Sequence, residues 1–141
     1  MVKNILVAYD GSGPSYRALD FALDLAKKYD GNITVVTCVT LYPDVDPHSS
    51  DYASMLSVLK QGSLKTVSEL EPKLKESKIA YKTEVIEAIS VADAILNYSE
   101  KFSIDLIVMG SRGIGGFKTL LLGSVTNGVS QHSKCPVLIV K

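Results

Sequence analysis

Runs of apolar residues alternate along this chain with stretches whose apolar positions recur at helical spacing. KNILVAYD, residues 3–10, is continuous enough for a buried strand, and GSGP breaks it. Ala18, Leu19, Ala22, Leu25, Ala26 and Tyr29 then return every three or four residues, the mark of an amphipathic helix. Pro14 suits its first turn and Gly31 its stop. Residues 32–40, NITVVTCVT, are rich in β-branched side chains and predict a second strand. Two prolines and the lack of any period predict a loop over 41–50. A helical pattern over 51–78 follows, weakened at Gly62 and kinked or ended early by Pro72. Residues 80–86 alternate, which places that strand at a sheet edge. Ser90 is the expected cap of a helix over 91–101, with Asp93 completing a capping box. Residues 104–110 are apolar throughout and predict a central strand. Ser124 is the expected cap of a helix reaching about residue 132, and 135–141 predict the fifth strand.

Strand and helix thus alternate five times with no linker or repeat between them. That order predicts one α/β domain over 1–141, an open parallel sheet with right-handed crossovers and helices on both faces. Such sheets hold ligands beyond the carboxyl ends of their strands, where the winding reverses. The first and fourth strands end there in YDGSG and MGSRG.

The 141 residues suit one domain, and 15 basic and 15 acidic side chains cancel. Charge therefore argues for neither nucleic acid nor an acidic membrane surface as a partner. The first apolar run is too short for a signal-peptide core or a membrane span, so a cytoplasmic location is expected. Cys38, Cys135, His48 and His132 are scattered, which argues against a metal cluster and reads the cysteines as small buried hydrophobes.

The most unusual stretch is GSRGIGGFKTLLLGS, residues 110–124, with five glycines. It is not a Walker loop, because Phe117 precedes Lys118-Thr119 where glycine is required. Gly11-Ser12-Gly13 begins a dinucleotide fingerprint, but Tyr16 takes the place of its third glycine. The physics of both motifs remains available. Gly110 and Gly113 end the fourth strand, Gly123 and Ser124 open the next helix, and bare backbone beside a helix N-terminus attracts an anion. Residues 114–122 would form a flap between them. Arg112 and Lys118 could each clamp a phosphate, but the reading favoured for both is a solvent-facing side chain. Asp10 suits either holding its turn or binding.

The spacing Gly110-x2-Gly113-x9-Gly123-Ser124 matches the motif G-2x-G-9x-G-(S/T), and with it the chain resembles the ATP-binding branch of the universal stress protein family. GSRGIGGFKTLLLGSVTNGV followed by CPVLIVK is similar to that family's last third, and KNILVAYDGSGPSYRAL to its opening. The resemblance implies a Rossmann-like sheet of order 3-2-1-4-5, of the adenine nucleotide alpha hydrolase type. It implies ATP across the ends of the first and fourth strands. Gly110, Gly113, Gly123, Ser124 and the amide of Val125 would meet the triphosphate. Ala8 and Asp10 would border the nucleoside, Asp10 with magnesium or the metal-bound phosphates. Val39 would meet adenine through its backbone and Met109 would line the pocket. The last strand, residues 136–141, would pair with its copy in a homodimer. Ala88 and Val91 depart from the family pattern, which has glycine and proline there, and Asn127-Gly128 is a poor helix-forming pair. Loop 41–50 is individual to this chain and is a candidate cover for the adenine side.

The favoured reading is an ATP-binding regulatory protein without a catalytic residue that can be named. A slow magnesium-dependent ATPase or nucleotide-transferring enzyme is the alternative, and a dimer with a vestigial pocket ranks last.

Overall fold

The structure, a computed structural model, describes residues 1–113 and 122–141. The elements in order are β1 (Asn4–Ala8), α1 (Gly13–Tyr29), β2 (Asn32–Thr40), α2 (Ser50–Ser68), α3 (Glu71–Ser77), β3 (Tyr81–Ala88), α4 (Val91–Lys101), β4 (Leu106–Gly110), α5 (Ser124–His132) and β5 (Val137–Val140). The five strands form one parallel sheet of order β3-β2-β1-β4-β5. This is the expected order, with β3 at one edge and β4 inside.

β1 is central and has both faces covered, which explains its unbroken apolar run. Ile5, Leu6 and Val7 are all 0% exposed, each worth about 1.5–3 kcal/mol relative to an exposed side chain. Ile5 and Val7 pack with Ala18, Leu19 and Ala22 of α1 on one face. Leu6 packs with Ile95, Ile107 and Val129 on the other. At the amino end of the sheet, Asp105 accepts hydrogen bonds from the backbone amides of Lys3 (3.0 Å) and Asn4 (2.8 Å).

Local chemistry sets the helix ends. Ser12 caps α1 by accepting from the Ser15 amide, with Pro14 in the first turn. The left-handed residue at its far end is Asp30 (φ 54), not Gly31. Gly31 is needed for a different reason, because a Cβ there would lie 2.8 Å from the Lys3 carbonyl oxygen. Pro72 divides the pattern expected over 51–78 into two helices, and it sits in the first turn of the second. Ser90 caps α4 as expected. Gly128 also has a packing reason: its Cβ would come within 3.1 Å of the Ala92 Cβ, so the glycine lets α5 lie close against α4.

Gly62 lies exposed inside α2, and a Cβ there would meet nothing within 4 Å. Gly62→Ala is therefore expected to raise stability by about 0.5–1 kcal/mol. Gly31→Ala is expected to lower it by about 1–3 kcal/mol, since backbone must shift. Urea unfolding of the two variants checks the opposite signs.

Candidate functional site at the carboxyl ends of the strands

The winding reverses between β1 and β4, and a cavity of about 490 Å³ opens at their carboxyl ends. Its floor is a row set by strand register. Val36 of β2 pairs with Ala8 of β1, and Ala8 pairs with Met109 of β4. Side chains alternate along a strand, so Val36, Cys38 and Thr40 all face the cavity from β2. Val39, expected beside adenine, is not among the lining residues and stands on the opposite face of the sheet. Val91 and Ile95 of α4 complete the apolar wall. The departure Val91 thus contributes to the cavity, whereas Ala88 and loop 41–50 do not line it.

The other wall is polar backbone. The turn after β1 takes Gly11 through φ 84, a conformation that favours glycine. Asp10 holds this turn by accepting from the Ser12 amide at 2.9 Å, and it also lines the cavity. The buried Ser15 hydroxyl donates to the Ser12 carbonyl at 2.9 Å. Burial, with Tyr16 and Asp10 nearby, raises the neighbouring Tyr9 hydroxyl above its ordinary pKa, so it stays protonated at neutral pH.

Gly110, Gly113, Gly123, Ser124 and Val125 all line the cavity. Their glycines have different reasons. A Cβ at Gly110 would lie 2.7 Å from Pro14 Cβ and 2.9 Å from the Ser15 amide nitrogen, so the first turn of α1 excludes any side chain. A Cβ at Gly113 would lie 2.5 Å from Asp10 Oδ2. Among the described residues, a Cβ at Gly123 would meet nothing nearer than the Arg112 Cα at 3.4 Å, and φ is −67. Packing among the described residues therefore does not demand glycine at 123.

Gly123 is the N-cap of α5, and Ser124, expected in that place, is its first helical residue. The Gly123 carbonyl accepts from Asn127 at 2.9 Å while the Gly123 amide donates to Ser111 at 2.7 Å. As a glycine, Gly123 makes no side-chain cap hydrogen bond to the helix. The first residues of α5 line the cavity, and the N-cap offers their amides no side-chain acceptor. The buried Thr126 hydroxyl donates to the Gly110 carbonyl at 2.8 Å and fixes this helix end on β4. Arg112, read from the sequence as solvent-facing, lines the cavity close to these amides. The flap expected over 114–122, Lys118 included, lies outside the described residues except for Leu122.

No cluster of three or more His, Cys, Asp or Glu able to hold a metal occurs among the described residues. No helix among them is long and apolar enough to cross a membrane. Cys38 and Cys135 are free and half-buried.

Fold and cavity place the chain in the doubly wound α/β class. Within that class it belongs to the universal stress protein family, whose sequence profile it matches over residues 1–141. Universal stress protein YxiE of Bacillus subtilis is 36% identical over 149 residues, an alignment covering 100% of both chains. The structure superposes on the universal stress protein UspA of Lactobacillus plantarum with a TM-score of 0.84 at 25% identity, covering 99% of this chain and 98% of the other. It superposes on a universal stress protein in complex with cAMP with a TM-score of 0.70 at 25% identity, covering 99% and 96%.

Burial pushes the Cys38 thiol up to about 11. Thiolate is the reactive form, so raising the pKa keeps Cys38 quiet at neutral pH. In a Cys135→Ser variant, the rate of Cys38 alkylation by iodoacetamide is expected to keep rising about tenfold per pH unit from pH 8 to 10. An ordinary thiol levels off near its pKa of about 8.5.

Proposed function

We propose that this chain is an ATP-binding regulatory protein of the stress-response kind that works as a homodimer. The observation that carries the reading is Gly123: an N-cap without a side chain, not required by packing among the described residues, at a helix start that lines the cavity. A phosphate chain supplies the acceptors that a capping side chain would otherwise provide. Gly110, Gly113, Ser124 and the Val125 amide would hold the phosphates, with Arg112 beside them. The apolar half, with Ala8 and Met109, suits a flat base, and Val39 would reach adenine through its backbone. The family relative in complex with cAMP supports an adenine nucleotide.

A magnesium ion fits this reading through Asp10. Magnesium is commonly held by one or two carboxylates together with substrate phosphates, so it needs no larger protein cluster. It would neutralise phosphate charge at the mouth of the cavity.

The homodimer would form through β5. This strand lies at the sheet edge with Val137, Leu138 and Ile139 half-exposed, an arrangement that invites pairing. The Pro136 and Val140 carbonyls bond back to β4, so the alternate residues, Ile139 among them, present their backbone outward.

Gly123→Ser tests the site. Serine is a good N-cap, so stability should hold or rise, while its hydroxyl occupies the amides that a phosphate would use. Calorimetric titration with ATP and magnesium is expected to show about 10- to 100-fold weaker binding than the unaltered chain, the worth of one charged hydrogen bond. An unaltered chain that takes up no ATP would refute the reading, and bound ATP turning over to ADP would favour the ATPase instead. Ile139→Pro removes one outward amide and is expected to halve the mass measured by sedimentation.

A further inference from the structure

We propose that the outer face of α2 binds α2 of a second copy of this chain, antiparallel, about a two-fold axis at Val58. α2 packs on β2 and β3, and Val67 is its buried residue. Its other face carries Met55 and Val58 into solvent, Val58 being 68% exposed. Two exposed apolar side chains alone are ordinary at a protein surface, and it is the charges flanking them that point to a partner.

The charges around Val58 say which partner. Asp51, Val58 and Lys65 are spaced seven residues apart, so they fall on one stripe that drifts only about 20° per heptad. The stripe reads acid, apolar, base. Asp51 and Lys65 stand equally far from Val58. Reversing the helix about Val58 therefore sets each Asp51 against the copy's Lys65 and each Val58 against the copy's Val58. Ser54 and Gly62 are also equidistant from Val58, four residues to either side, and they would oppose one another. Both are small and exposed, and Gly62 has open space where a Cβ would stand, so the helix axes can approach closely.

The charge complementarity is otherwise unused. Among the described residues neither Asp51 nor Lys65 takes part in an ion pair. Asp51 lies in the first turn of α2 and Lys65 in the last, so antiparallel pairing also opposes the two helix dipoles head to tail. A parallel arrangement would place like charges together. A partner of unrelated sequence would have no reason to match this spacing, whereas a second copy matches it by symmetry. The surface lies toward the β3 edge of the sheet, away from β5, so this contact and pairing through β5 do not compete.

A cysteine at the axis tests the geometry directly. In Val58→Cys the two new thiols meet across the two-fold axis, and mild oxidation should join them. Leu64→Cys is the control: Leu64 is similarly exposed, at 56%, but stands about 120° away around the helix. Peptide mapping by mass spectrometry distinguishes these bonds from any involving Cys38 or Cys135. The 58–58 bond is expected to form about tenfold faster than the 64–64 bond, because association raises the effective thiol concentration. Asp51→Lys in the Val58→Cys chain should remove that advantage, and Asp51→Lys with Lys65→Asp should restore it. Equal rates for Val58→Cys and Leu64→Cys would overturn the proposal. So would a rate unmoved by Asp51→Lys, since random collision or a contact of other geometry would then account for the bond. The readout does not depend on whether β5 pairs or ATP binds.

Discussion

The end of β4 and the first turn of α1 are pressed together so closely at Gly110 that no side chain fits between them. Much of the site follows from that contact. It brings Pro14 and Ser15 against β4, which aims the Asp10 turn at the cavity. The Gly110 carbonyl then takes the Thr126 hydroxyl, so the same residue anchors the start of α5. Two helices that begin more than a hundred residues apart in sequence are positioned on one glycine.

The motif glycines therefore divide their work. Gly110 serves the fold, and Gly113 makes room for Asp10. Gly123 leaves room that none of the described residues fills. A motif written as equivalent letters hides this difference, because only the three-dimensional surroundings show which missing side chain is needed for packing. The same distinction applies outside the site. Gly31 and Gly128 are close approaches between backbone or helices, while a Cβ at Gly62 would meet nothing within 4 Å.

The fold was legible because its signals are local. Apolar runs, the Ser12 and Ser90 caps and the break at Pro72 each act within a few residues. The strand order came from the family resemblance rather than from periodicity. The apolar half of the cavity was harder to read. Alternation along β2 separates Cys38 and Thr40 from Val39 but does not say which set faces α4, and that depends on how distant helices pack. The sequence left Arg112 between solvent and phosphate for a related reason, since the residues that line the cavity with it come from β1 and α5 as much as from its own loop. Asp30 rather than Gly31 turns the chain at the end of α1, because short polar side chains tolerate the left-handed region and glycine was wanted elsewhere.

The contact between Gly128 and Ala92 has a mechanical side. It joins α5 to α4 at a spacing where one added methyl would already crowd. Val91 begins one of these helices and Ser124 begins the other, and they stand on different walls of the cavity. The two walls thus belong to a single stiff bracket. Since packed interiors transmit displacement, a shift of α5 toward α4 at Gly128 would be passed to the helix that carries Val91, which links the polar and apolar halves of the cavity.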